Sequence, residues 1–541
     1  MDLAAAALGR PRVRVNQAGY LVDGPKVATV LTEDARPLSF VVRSGDRAVW
    51  GGTCSPGPLP VVDFSGCRQM GTFVVEAGAF ASHPFRIADR PYAGLLGDAL
   101  RFFYVQRSGM ALDDAVLAGY GRPAGHAGVP PNRGDTDVDG LDVSGGWYDA
   151  GDHGKYVTSG ALPASMLLAA HERYPGLPLP PGPSLLDEAR WQVDWLVRMQ
   201  VPPGRRHAGL AYHRLHDDVW TPLPMWPHLD PARRVLHPPS TAAGFQLAAA
   251  AAHAARFVPA YLPAARAAWQ AALREPALLA ADDAGAHGGG PYPDADPTDD
   301  HYWAAAELYL TTDEAEFRDA VLRSPRHTAP LGAVEWDDLT AYARMELALA
   351  TDLPGVRDPV VDRADELLAL QRAQPYGQPY APDDGWDWGS VGRILGLLLI
   401  VAAAHRLTGA ARFRDGLLGG LDYVFGRNPV GLSYVTGWGT EAVHRQRSRH
   451  FARALDPSFP PAPRGSVVGG PNSKDYPGWP RDPRFAGLPD QLCYVDEPDS
   501  ETTNDVCIRW NAPLVLLAAY LSADPSATSS GEKSGSAGAG G

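Results

Sequence analysis

Two carboxylates, Asp149 and Asp152, stand three residues apart in the segment Ser144–Val157, which reads SGGWYDAGDHGKYV. Glycines surround them, and Trp147, Tyr148 and Tyr156 flank them. Glycine turns hold side chains at sharply defined places on a backbone. Aromatic faces beside paired acids suit a ring with apolar faces and a polar edge, which is the profile of a sugar. Paired carboxylates are also the working groups of glycosidic bond cleavage, where one stays ionised to activate a water. A solvated acidic turn would hold the same two aspartates but has no need of the three aromatics. His153 beside Asp152 raises a DxxDH metal site as a competing use. No second His or carboxylate stands at ligand spacing around it, so neither a metal nor a cofactor is expected.

These residues need elements to carry them. A chain of 541 residues exceeds one typical core, so a small and a large domain are expected. Residues 11–88 read as β: VRV (13–15), KVATVL (26–31), LSFVVR (38–43) and TFVVEA (72–77) are short runs rich in Val, Phe and Thr, punctuated by turn residues. From about Pro91 the period changes. The run 183–200 opens with Ser184 and Asp187 as capping signals and lines up Trp191, Trp195 and Met199 four residues apart. The runs 240–258, 317–323, 339–350, 360–374, 393–409 and 511–521 also read as helices. With no strands read between them, residues 89–523 form a large all-α domain. Long Pro/Gly-rich loops at 121–147, 279–300 and 458–490 are places where function gathers. Residues 1–10 read as a flexible terminus, and 524–541 as a low-complexity disordered tail.

Composition narrows the partners. A net charge of −14 argues against nucleic acid and anionic membranes. The four cysteines, at 54, 67, 493 and 507, are too few for a disulfide scaffold and lack zinc-like spacing. The longest apolar run, 394–404, falls short of a membrane span. The amino terminus has no basic n-region and only a weak apolar run, which predicts a cytoplasmic protein acting on soluble oligosaccharides or glycoconjugates.

The same segments carry a resemblance. SGGWYDAGDHGKYV is similar to the first signature of family 9 glycoside hydrolases. VRVNQAGYLVDGPKVATV (13–30), residues 82–109, WAAAELYLTT (303–312), residues 421–439 and CYVDEPDSETTNDVCIRWNAPLV (493–515) follow in that family's order. The resemblance implies a multidomain fold, an all-β immunoglobulin-like sandwich followed by an all-α (α/α)6 barrel. It also implies an inverting hydrolase of β-linked oligosaccharides. Asp152 takes the position of the base and Asp149 that of the water holder. In such enzymes base and acid stand roughly 6.5–9.5 Å apart to admit the water.

The acid half departs from the pattern. In TTNDVCIRWNAPL, Asp505 occupies the place of the family's glutamate. It is one methylene, roughly 1.5 Å, shorter in reach. A misplacement of about 1 Å can cost on the order of 100-fold in rate, so weak activity on cellulose is expected. Glu501 replaces an aromatic residue, and in QRSRHFARALDP (446–457) Arg449 is kept while Arg447 stands at a histidine position. Asp496 matches an acidic position beside the family's site, and Trp147 and Tyr148 are expected to face sugar. Arg447 and Glu501 leave two readings: a replacement salt bridge, or a site for an anionic or modified sugar read by Arg447. Glu501 is also an alternative to Asp505 as proton donor. A non-hydrolytic, sugar-binding or repurposed relative is the alternative to a glycosidase. Elsewhere Trp388 reads as cleft or core, Trp303 and Glu307 as helix packing, and Lys155 and Tyr156 as loop-shaping residues.

Overall fold

The computed structural model describes residues 9–523 except 33–35, 55, 56, 58, 129–140 and 282–287. The expected flexible terminus lies almost wholly, and the expected disordered tail wholly, outside the described residues. The first nine strands are β1 (Val13–Arg14), β2 (Tyr20–Leu21), β3 (Val27–Val30), β4 (Leu38–Ser44), β5 (Arg47–Cys54), β6 (Val61–Asp63), β7 (Gly71–Ala77), β8 (Phe80–Ala81) and β9 (Phe85–Ala88). They form one sheet ordered β1-β3-β6 and another ordered β2-β9-β7-β4-β5, with β8 pairing β7. Alternation sets the faces: Phe40 and Val42 of β4 meet Phe73, Val75 and Ala77 of β7 in a buried core while their neighbours turn outward. This module is tied to the helical body. Asn16 Nδ2 donates to Tyr92 Oη and Asp422 Oδ1, both at 2.9 Å, and Arg427 Nε donates to Thr29 Oγ1 at 3.1 Å.

Twelve helices longer than a single turn follow among the described residues: α1 (Leu95–Gln106), α2 (Val157–Arg173), α3 (Leu185–Arg198), α4 (Thr241–Ala255), α5 (Leu262–Arg274), α6 (Thr298–Thr312), α7 (Ala315–Arg323), α8 (Thr340–Ala350), α9 (Arg357–Ala373), α10 (Ser390–Thr408), α11 (Ala411–Val424) and α12 (Ile508–Ser522). The even-numbered helices touch in a closed ring, α2 to α4, α6, α8, α10, α12 and back to α2. Each odd-numbered helix packs outside that ring. The composition explains the layers. All of α4 is buried, Thr241 to Ala255, and a helix apolar all round belongs inside. The outer α3 is amphipathic and starts on a Ser184/Asp187 capping box, as its sequence predicts. Helix α10 is long and apolar enough to cross a membrane by length and composition. Here it is an inner helix covered by α8, α9, α11 and α12.

Two expectations need correction. Short strands do lie within the helical body: β10 (Lys155–Tyr156), β11 (Ala211–Tyr212), β12 (Arg214–Asp217), β13 (Arg234–Leu236) and β14 (Pro239–Ser240). Every residue of β12 and β13 is buried, so neither has an alternation to read. Helices α1, α2, α5 and α11 were also not read from the sequence. Gly160 and Pro163 break the helical signal of α2, yet α2 runs on because Gly160 lets α3 approach. A Cβ there would stand 2.1 Å from Gln192 Nε2.

Candidate active site

The loop carrying Asp149 and Asp152 enters from α1 and leaves into β10 and α2. Gly145 and Gly146, at φ 89° and 71°, make the left-handed turn that brings Trp147 inward. Trp147 is 1 % exposed, packs at a tilt against Phe103 and donates its indole N–H to Glu188 at 2.7 Å. Glu188 also takes both arms of Arg107, at 2.9 and 3.1 Å. Lys155 Nζ donates to the carbonyls of Val143 and Gly145 at 2.9 and 2.7 Å. These buried polar contacts fix the loop from beneath. Gly151 permits the closest approach at the site: a Cβ there would lie 2.2 Å from Arg447 O and 2.9 Å from Asp505 Oδ1.

Two distant segments close onto this loop. Residues 444–449 are held by Asp496, whose carboxylate accepts the backbone N–H groups of His444 and Arg445 at 3.0 and 3.1 Å. Arg449 N then donates to Gly151 O, and Arg447 N to Asn504 O. Asp505 ends a single helical turn, Glu501–Asn504, and its Oδ1 accepts Gly151 N at 3.1 Å and Val506 N at 2.9 Å. Ile508 N, at the start of α12, donates to Asp149 O. The ends of α12 and of the 444–449 segment are therefore stitched directly to the DAGD loop.

The result is a cleft of about 420 Å³ lined by Asp152, Tyr156, Arg447, Arg449, Glu501 and Asp505, with Trp220, Tyr292, Trp336, Trp388, Tyr476 and Trp479 on its walls. Asp152 Oδ2 accepts Gly154 N at 3.0 Å and lies 3.5 Å from the hydroxyl of Tyr156. Burial pushes its carboxyl up to about 6; Arg449 opposes the rise and Asp149 adds to it. Asp505 is raised well above the usual carboxylate range by burial, then by Glu501 and Asp152, against Arg447. Among the described residues no donor reaches its second oxygen, which is left to carry a proton. One carboxyl titrates near neutrality and the other holds its proton higher, which is the division of labour between base and acid.

The other expected residues divide. Arg447 lines the cleft as a salt bridge, with Nη2 3.3 Å from Glu501 Oε2 and Nη1 donating to Pro498 O at 3.0 Å. Arg449 is buried and donates to Thr221 Oγ1, Thr221 O and Gly151 O. Trp147 and Tyr148 do not face sugar: both are core, and Tyr148 Oη lies 2.7 Å from His126 Nδ1. Asp496 positions a backbone and does not line the cleft. Asp149 is 1 % exposed. Its carboxylate takes the hydroxyls of Ser159 and, at 2.6 Å, Tyr292, so it reaches the cleft through Tyr292 rather than holding water directly. Tyr292 itself sits at φ 45°, a strained backbone at a functional site. Trp388 lines the cleft, whereas Trp303 and Glu307 are buried together. The sequence reading did not find Trp220, Glu335, Trp336, Arg393, Tyr476, Trp479 or Arg509. Its available signal was the long loops, two of which deliver Tyr292 and Trp479.

The expectation of no ligand near His153 also changes. His153 Nδ1 lies 2.6 Å from Asp230 Oδ2, and His126 joins them as a possible cation cage. Burial keeps both imidazoles neutral, the ligating form, and their Nε2 atoms are buried without partners. Asp294, Asp299 and Asp300 make a second, all-oxygen cluster suited to a hard cation. The first gathers residues from separate loops, beyond the reach of local spacing, whereas the second lies within seven residues at the start of α6 and could have been read from DADPTDD.

Comparison with known proteins agrees with this geometry. A family model described as Glycosyl hydrolase family 9 matches residues 92–518, and one described as Cellulase N-terminal ig-like domain matches residues 9–82. Endoglucanase C of Cellulomonas fimi is 44% identical over an alignment covering 96% of this chain and 52% of that protein. The chain thus spans about half the length of this relative. A cellulose 1,4-beta-cellobiosidase of Acetivibrio thermocellus is 34% identical, over 95% of this chain and 67% of that protein. The crystal structure of a thermostable endoglucanase from Alicyclobacillus acidocaldarius superposes with a TM-score of 0.84 at 30% identity, covering 95% of this chain and 99% of the other. The names of these relatives give no support to the expectation of weak activity on cellulose.

Proposed function

The chain belongs to glycosyl hydrolase family 9, and from that premise we propose that it hydrolyses β-1,4-linked glucose chains by a single inverting displacement. The closed ring of six inner and six outer helices is then the (α/α)6 barrel of that family. Asp152 takes a proton from water as the water attacks the anomeric carbon. Asp505 gives its proton to the departing glycosidic oxygen. The observation that carries the reading is the pair itself: two carboxyls on one cleft, tied together through Gly151 and driven to different proton affinities by burial and by their own neighbouring charges. Asp149 holds Tyr292 and adds negative charge behind Asp152.

Asp505 is favoured over Glu501 as donor because Glu501 is committed to Arg447, whereas Asp505 keeps an oxygen open. The aromatic walls supply stacking faces for successive sugar rings. The Arg447–Glu501 pair supports the salt-bridge reading of those two changes and leaves Arg447 poorly placed to recognise an anionic sugar.

The test is turnover of cello-oligosaccharides and of soluble and insoluble cellulose, with the anomer of the first product followed by proton NMR. Release of the α-anomer, abolished in Asp152→Asn, is expected. A β-anomer would exclude the inverting route, and absence of turnover on every glucan would overturn the hydrolytic reading.

A further inference from the structure

We propose that Arg509 is the residue that grips the sugar seated against Trp336, through a pair of neighbouring acceptor oxygens on that sugar. The inference deepens the hydrolase reading and rests on it for the identity of the ligand. Four guanidinium groups line the cleft. Three are spent on the protein. Arg393 pairs with Asp387 at 3.1 Å and approaches Glu335 at 3.9 Å. Arg447 is held by Glu501 and Pro498, and Arg449 by Thr221 and Gly151.

Arg509 differs. It makes no ion pair among the described residues: Nη2 donates a long hydrogen bond to the hydroxyl of Tyr292 at 3.4 Å, and the Cys507 thiol, Asp149 and Glu335 are the groups that favour its charge. Its Nε–H is buried without a partner. Yet the group is not loose. It lies over the ring of Tyr292 at 5.2 Å and that of Trp336 at 5.5 Å, and those rings meet edge to face at 5.1 Å. A guanidinium carries five N–H donors in a fixed fork. Here the fork is held still by aromatic packing while it is paired with no carboxylate among the described residues.

That arrangement makes sense only with a ligand. When a sugar displaces water from the cleft, a cation left without acceptors suffers the full desolvation penalty. A substrate that presents two adjacent oxygens removes it. The fork matches a carboxylate, and vicinal hydroxyls of a pyranose offer a similar pair. Trp336 supplies the apolar face for the ring that bears them. Position adds to the case: Arg509 lies in the first turn of α12, four residues after Asp505, so its grip is coupled to the placing of the scissile bond beside the acid.

Binding separates this proposal from the hydrolytic one. In an Asp152→Asn background, calorimetry measures the affinity of cellotetraose and of a cello-oligosaccharide ending in glucuronate, with Arg509 intact, as Arg509→Met and as Arg509→Lys. Loss of a charged hydrogen-bond donor predicts about a 10- to 100-fold weaker Kd for Arg509→Met on at least one ligand. Recovery by Arg509→Lys on the glucuronate ligand alone assigns the acceptor as a carboxylate. Loss in both variants on cellotetraose assigns it as paired hydroxyls. In the otherwise unaltered chain the same change raises KM and leaves kcat within about threefold. Unchanged affinity for both ligands in Arg509→Met overturns the proposal. So does a fall in kcat at constant KM, which would mean that Arg509 only supports Tyr292 and Asp149. Failure of the intact chain to turn over any glucan would defeat the hydrolytic reading and leave the binding result to stand by itself.

Discussion

The proton affinity of Asp152 sets a pH dependence that can be calculated before it is measured. A base works only when ionised, and this carboxyl is pushed up to about 6, first by burial and then by Asp149, with Arg449 opposing. It is then roughly ten-elevenths ionised at pH 7 and roughly one-eleventh at pH 5. On the acidic side, kcat/KM therefore falls about tenfold between pH 7 and pH 5, with a slope approaching one. A carboxylate left at its ordinary 3.8 would still be about 94 % ionised at pH 5, and the rate would barely move. The useful perturbation is Arg449→Met, which removes the cation that lowers this pKa. The sign follows directly: without Arg449 the carboxylate is less favoured, so the acidic limb moves to higher pH. The limb position separates this effect from structural damage, because damage lowers the plateau without shifting the midpoint. The assay is kcat/KM on a soluble cello-oligosaccharide from pH 4 to 9. An acidic limb lying below pH 5, or one that stays in place in Arg449→Met, would refute the assignment of Asp152 as base.

Further outcomes follow from the same contacts. Asp505→Asn removes the proton donor, and a loss of about 10²–10⁴ in kcat is expected on cello-oligosaccharides. Aryl glycosides whose leaving group needs no proton should be hydrolysed at nearly the original rate, a contrast that steady-state kinetics on both substrates will measure. Trp147→Ala, by contrast, empties a buried site and removes one of the donors to Glu188, so it should lower stability by about 3–5 kcal/mol in a denaturant titration. If Trp147 were a sugar platform instead, stability would hold and KM would rise.

The reading of the sequence was strongest where local pattern decides. The Val-, Phe- and Thr-rich runs of β4 and β7 and the capping box at Ser184 were legible because composition, flanking turns and ends are written within a few residues. Helix α2 was obscured by Gly160 and Pro163, which signal a break by themselves; the close packing of α3 explains Gly160. Strands β12 and β13 were silent because both faces are buried.

The site divides in the same way. SGGWYDAGDHGKYV by itself marked Asp152 as the candidate base, and the tight approach of Arg447 and Asp505 to Gly151 explains the glycine beside it. It could not determine which way each aromatic points. Trp147 and Tyr148 went to the core, and the walls came from Trp220, Trp336, Trp388 and Trp479, spread over some 260 residues of chain. The candidate acid, too, was legible only as a shortened side chain at Asp505. Its raised proton affinity comes from burial and from Glu501 and Asp152, which is a property of the assembled cleft. Residue identity fixes which groups can do chemistry. Desolvation and neighbouring charge, set by contacts between segments hundreds of residues apart, fix which of them will.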